Sequence, residues 1–143
     1  MSFRGIRYID IATCQLERAV TLYLDSADYI SAITLAGAAE EILGKIAKKS
    51  KKTNALGNHV SLTLDLARLF DINDMDAAKI IKQSNEARNR MKHLDNHVLA
   101  GVLLDDKREA EEMLSRAIEN YRLAFGELTA PMARFDELVK GEL

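Results

Sequence analysis

The sequence predicts an all-α fold, an up-and-down bundle of about five helices, and three observations carry that prediction. A single proline and seven glycines leave few interruptions in 143 residues. Apolar side chains recur at alternating three- and four-residue intervals, the repeat of a helix face rather than of a strand. The polar stretches between those runs are short, so consecutive helices are expected to fold back on one another. With 48% hydrophobic residues, the chain is expected to bury one core and to form a single domain over residues 1–143.

The first helix is expected from about Arg7 to Asp25, where Ile9, Thr13, Leu16, Val20 and Tyr23 share one stripe. Ser26 or Asp28 is placed to cap the second helix. That helix carries Ile30, Ile33 and Gly37 on one side and Leu35, Ala39, Ile42 and Ile46 on another, so it is expected to sit centrally. Ser50 to Asn58 has the composition of a surface loop. Val60, Leu62, Leu64 and Leu66 alternate as a strand would, but Leu62, Leu66, Leu69 and Phe70 fit a helix, and the surrounding pattern favours the helix. After a turn at Asp71 to Asp74, a fourth helix spans about Met75 to Leu94, with Ala77, Ile80, Ile81, Ala87, Met91 and Leu94 as its apolar side. Past a link from Val98 to Leu104, Asp105 and Asp106 open a long fifth helix lined by Leu114, Ile118, Tyr121, Phe125, Leu128, Met132, Phe135 and Val139. Pro131 either kinks it or begins a new segment capped by Thr129. A seam this long is expected to pack partly against a second copy, giving a homodimer.

Composition excludes several classes. A net charge of -2 does not suit a protein that coats nucleic acid by bulk attraction, so any such contact is local. The dense basic stretch Lys45, Lys48, Lys49, Lys51 and Lys52 reads first as a solvated helix end complementing the helix dipole, and second as a phosphate patch. Cys14 is the single cysteine, which excludes an internal disulfide and agrees with a reducing compartment; it reads as a small core residue. No apolar run is long enough to cross a bilayer, and the start MSFRGIRYID lacks a signal-peptide core, so a soluble, cytoplasmic protein without membrane partners is expected. Walker loops, dinucleotide fingerprints and nucleophile elbows do not occur in the sequence, and no cofactor is expected.

Chemistry is expected on the fourth helix, in the run Arg88-Asn89-Arg90-Met91-Lys92-His93. With Arg88 set at zero, Asn89 falls near 100°, His93 near 140° and Glu86 near 160°, while Ile80, Ala87, Met91 and Leu94 share roughly the 240° to 300° sector. The polar group is therefore expected to face away from the core, which disfavours a buried structural histidine. A plain charged solvent face is the competing reading, and periodicity does not separate the two. His93 and His97 stand four residues apart with Asp95 between them, but a glutamate beside the first histidine and a third distant ligand are missing. The spacing reads as incidental, and no metal site is expected.

Residue order separates what periodicity does not. Arginine, then asparagine, then three residues, then histidine is similar to the R-x(4 to 6)-H motif of HEPN domains, in which a polar residue commonly follows the arginine; Arg88, Asn89 and His93 match it. The stretch from Leu35 to Lys45, LAGAAEEILGK, also resembles the small-residue, acidic helix of many bacterial members. The resemblance covers the two central helices. It implies a homodimer in which two motif helices meet to form a composite site, and in active members a metal-independent endoribonuclease, some acting as toxins beside a nucleotidyltransferase-type antitoxin. His93 would then move a proton to or from the ribose 2'-hydroxyl or the leaving 5'-oxygen. Arg88 would hold the scissile phosphate through paired hydrogen bonds. Asn89 would orient the imidazole or bind phosphate, and Lys92 would add to binding. Other members bind a nucleotide, RNA or a partner protein without cutting. Gly37 and Gly44 lie on one face beside Glu40 and Glu41. A close helix crossing is the first reading of that face; the sharper one is that Glu40 or Glu41 pairs with Arg88.

Overall fold

The computed structural model describes residues 1–93, 101 and 103–142. Leu94, Asp95, His97 and Val98, which the sequence reading assigned to the end of the fourth helix, the histidine pair and the following link, lie outside the described residues. Among the described residues there are six helices and no strand: α1 (Tyr8–Ser26), α2 (Tyr29–Lys51), α3 (Ala55–Leu69), α4 (Ala77–Lys92), α5 (Asp106–Phe125) and α6 (Ala130–Gly141).

Local signals explain where each helix begins and ends. Ala27 adopts a left-handed conformation (φ 49°), and the Asp28 N–H returns to the Leu22 carbonyl at 3.0 Å, closing α1. Asp28, not Ser26, then caps α2 by accepting from the Ser31 N–H at 3.1 Å. The expected loop from Ser50 to Asn58 shrinks, because α2 runs on to Lys51 and Asn54 caps α3 by accepting from the Gly57 N–H at 2.8 Å. Asp76 and Asp105 cap α4 and α5 in the same way, through the N–H groups of Lys79 and Arg108. The expected fifth helix divides in two. Gly126 ends α5 with a positive φ of 84°, and Pro131 sits in the first turn of α6, where its missing N–H is harmless.

That division corrects the expectation that the long seam packs against a second copy. Leu114 and Ile118 on α5, and Met132 and Phe135 on α6, are buried in the chain's own core. They join Leu16 and Val20 of α1 and Ile33 and Leu43 of α2. As its two apolar faces predict, α2 is central, packed on α5 on one side and α1 on the other. Alanines at 12, 19, 32, 36, 39, 110 and 117 are fully buried and let these helices approach closely. Phe135 meets Tyr23 edge to face, with ring centroids 5.4 Å apart. Burial raises the Tyr23 hydroxyl pKa above its ordinary value, and the hydrogen bond it donates to Glu111 raises it further. Cys14 is exposed on α1 rather than in the core, a second correction. No helix among the described residues is long and apolar enough to cross a membrane.

The α3–α4 pair attaches to this core through polar groups. Asn120, fully buried on α5, accepts from the Ala55 N–H at 2.7 Å and donates to the Glu40 carbonyl at 3.2 Å, tying the start of α3 to α2 and α5. Beside it, the Asn54 side-chain amide donates to the Gly44 carbonyl at 3.2 Å. Asn120→Ala leaves a helix-start N–H and a buried carbonyl without these partners, so a loss of about 1–3 kcal/mol is expected. Urea denaturation checks it: the midpoint should fall while the slope stays unchanged.

Candidate functional site

The buried side of α4 is unusually polar. Ile80, Asn85 and Ala87 are buried, with Ser84, Arg88 and Met91 partly so, while Ile81 is exposed. The core-facing stripe is therefore rotated from the one drawn through the apolar residues alone, and Arg88 lies on its flank instead of outside it. Its side chain is 12% exposed and crosses α2 directly over Gly37. A Cβ at residue 37 would stand 2.5 Å from the Arg88 Cδ, so the glycine supplies the space that the arginine fills. The Arg88 Nη1 donates to the Gly37 carbonyl and to the Glu40 Oε2, each at 3.4 Å.

Glu40 is shared between two arginines. Its Oε1 accepts from the Arg116 Nη2 at 2.9 Å, and Arg116 also donates to the Asn85 Oδ1 at 2.9 Å and to the Ser84 carbonyl at 2.8 Å. The side-chain exposures of Glu40 and Arg116 are 7% and 14%. The cluster thus places two guanidinium groups around one carboxylate and is in net positive excess. Neither Nε, of Arg88 or of Arg116, finds a hydrogen-bond partner among the described residues. Of the two acids the sequence offered, Glu40 pairs with Arg88, and Glu41 is exposed and pairs with Lys45 at 3.4 Å. The close approach at Gly37 is to an arginine side chain, and that at Gly44 to the Asn120 and Asn54 amides, rather than to another helix backbone.

Asn89 and His93 occupy the other side of α4. Both are exposed, and with Lys82, Glu86 and Arg90 they line a shallow concavity of about 380 Å³. His93 ends the helix in an extended conformation, its N–H donating to the Asn89 carbonyl at 3.1 Å. Arg90 pairs with Glu86 at 2.9 Å. Lys92 is exposed in the last turn, where cations complement the helix dipole. A neighbouring depression contains Glu109, whose carboxyl pKa is raised by burial and by the nearby Glu112, with Arg108 opposing. The structure thus separates the predicted group: Asn89, His93 and Lys92 face outward as expected, and Arg88 is turned inward.

Arg116, Asn85, Asn120 and Lys82 belong to these two constellations and were not singled out from the sequence. Arg116 and Asn120 stand four residues apart beside the apolar stripe of α5, and such a pair is a usable signal for one polar patch on a buried face. Among the described residues, no group of three or more His, Cys, Asp or Glu side chains is arranged to hold a metal ion. The chain matches no protein-family model, no curated protein and no solved structure.

Proposed function

We propose that this chain is a HEPN-like helical protein acting as a metal-independent endoribonuclease of the toxin type, with a composite site built by two copies. One observation carries the reading: α4 ends in an exposed Asn89–His93 pair five residues after an arginine that Glu40 holds in place. An exposed imidazole with a reference pKa near 6.5 exchanges protons readily at neutral pH, as general acid-base cleavage at a ribose 2'-hydroxyl requires. The Asn89 amide, one turn before His93, is placed to orient the ring or to bind phosphate. The Arg88 contacts are long at 3.4 Å and its Nε is unpaired, so the guanidinium keeps donors unspent for a phosphate. Arg88 and His93 leave α4 about 140° apart, so one copy presents them to different sides. The reading therefore requires a second copy to complete the pair around one phosphodiester. Attack by the 2'-oxygen leaves a 2',3'-cyclic phosphate on one fragment and a free 5'-hydroxyl on the other.

The burial of Arg88 against Glu40 favours a second reading, a non-catalytic HEPN module that holds a nucleotide, RNA or an antitoxin protein on the outer face of α4. In either case the protein would work in the cytoplasm. RNA incubated with the protein in the presence of a chelator tests the first reading. Cleavage is expected to fall by about 10²–10⁴-fold in His93→Ala, with helical content unchanged because His93 is exposed. Arg88→Ala should also lose cleavage, with a thermal melt run in parallel to register any loss of fold. RNA that stays intact with the native protein while still binding to it would replace catalysis with the binding reading.

A further inference from the structure

The outer face of α3 is apolar, and no described residue covers it. Leu62, Leu66, Leu69 and Phe70 are between 47% and 73% exposed, and Ile72 just beyond the helix is 47% exposed. The inward side of α3 is formed by other residues, Val60, Thr63, Leu64 and Ala67, so exposure of the leucine stripe does not reflect a detached helix. Each exposed side chain offers on the order of 100 Å², and the stripe with its polar margins approaches the roughly 800 Å² per partner of a standard interface.

We infer that this face is where two copies of the chain meet, α3 against α3, antiparallel about a two-fold axis beside Leu66. Two features of the stripe select a second copy as the occupant. His59, Leu62, Leu66 and Leu69 follow one another at intervals of three, four and three, a straight seam of knobs that packs against another seam of the same kind. Asp65 and Arg68 lie together on one margin, paired at 3.1 Å with side chains 70% and 77% exposed. In an antiparallel pair related by a two-fold axis, that margin faces itself, so Asp65 of each copy meets Arg68 of the other. A parallel pair would set the charged margin against the one carrying Thr63 and Phe70, leaving both charges beside apolar groups. Leu62 then lies opposite Leu69 of the second copy, and Leu66 opposite itself.

The inference goes beyond the ribonuclease reading and is tested without RNA. Sedimentation of the full chain across a concentration series should show a dimer, and Leu66→Glu should weaken it by about 30-fold or more with helical content unchanged. Asp65→Arg should weaken association, and Asp65→Arg combined with Arg68→Asp should restore it. In a Cys14→Ser background, Leu66→Cys should form a disulfide-linked dimer under mild oxidation, a readout that survives even where Leu66→Glu folds poorly. A native chain that stays monomeric at high concentration, or a dimer that Leu66→Glu leaves intact and position 66 does not cross-link, would overturn the inference and assign the stripe to a different partner.

Discussion

Replacing Glu40 by alanine is expected to lower stability by roughly 3–5 kcal/mol, the range for removing one member of a buried charge cluster. For a chain of this length that corresponds to a fall in Tm of about 10 °C or more. The Glu40 carboxylate is shared by Arg116 at 2.9 Å and Arg88 at 3.4 Å. Without it, two guanidinium groups face each other where little water reaches them, and a long arginine cannot be neutralised by losing its proton. Relief of the carboxylate's own desolvation acts in the opposite direction, but it removes the burden of one ion and leaves that of two. Arg88→Ala should be much milder, about 1 kcal/mol, because Glu40 and Arg116 remain as a pair of equal and opposite charge. A double replacement, Glu40→Leu with Arg88→Met, should be less damaging than Glu40→Ala alone. Urea denaturation of the four proteins decides the ordering; a Glu40→Ala protein within 1 kcal/mol of the native chain would show that the cluster contributes no net constraint.

The difference between the two arginine losses bears on what the sequence could disclose. The helices were legible because each depends on near neighbours: the three- and four-residue repeat, and capping aspartates or an asparagine at 28, 54, 76 and 105. The seam from Leu114 to Val139 was read as one uninterrupted stripe, although it turns at Gly126 and re-enters the same core as α6. Periodicity cannot see that turn, because four-three spacing continues across it; only Pro131 marked it. The site failed for a different reason. An apolar stripe locates the buried face of a helix only when burial is apolar, and α4 buries Asn85 and most of Arg88. Arg88 turns inward because of a missing side chain 51 residues earlier and a carboxylate three residues beyond that. A relation between chain segments so far apart has no local signature. Asn89 and His93, whose position depends on α4 alone, were placed correctly.

Gly37→Ala offers the most direct test of that long-range fit, because its effect on stability should change sign with the residue at 88. In the native chain a Cβ at 37 meets the Arg88 Cδ at 2.5 Å and Cγ at 3.1 Å, and these are mid-chain atoms with core on one side. Arg88 must leave its seat, giving up the Gly37 carbonyl and Glu40, and a net loss of about 1–3 kcal/mol is expected. In an Arg88→Ala background the same substitution meets no such obstacle, since the three atoms nearest the added Cβ all belong to Arg88, the third at 3.8 Å. What remains is the intrinsic preference of a helix interior for alanine over glycine, a gain of up to about 1 kcal/mol. The coupling between the two positions is then roughly 2–3 kcal/mol, at the upper end for residues in contact. A double-mutant cycle in urea measures it directly. A Gly37→Ala effect of the same size and sign in both backgrounds would mean that Arg88 does not occupy the space over residue 37 in solution, and that the guanidinium is free to join His93 on the outer face of α4.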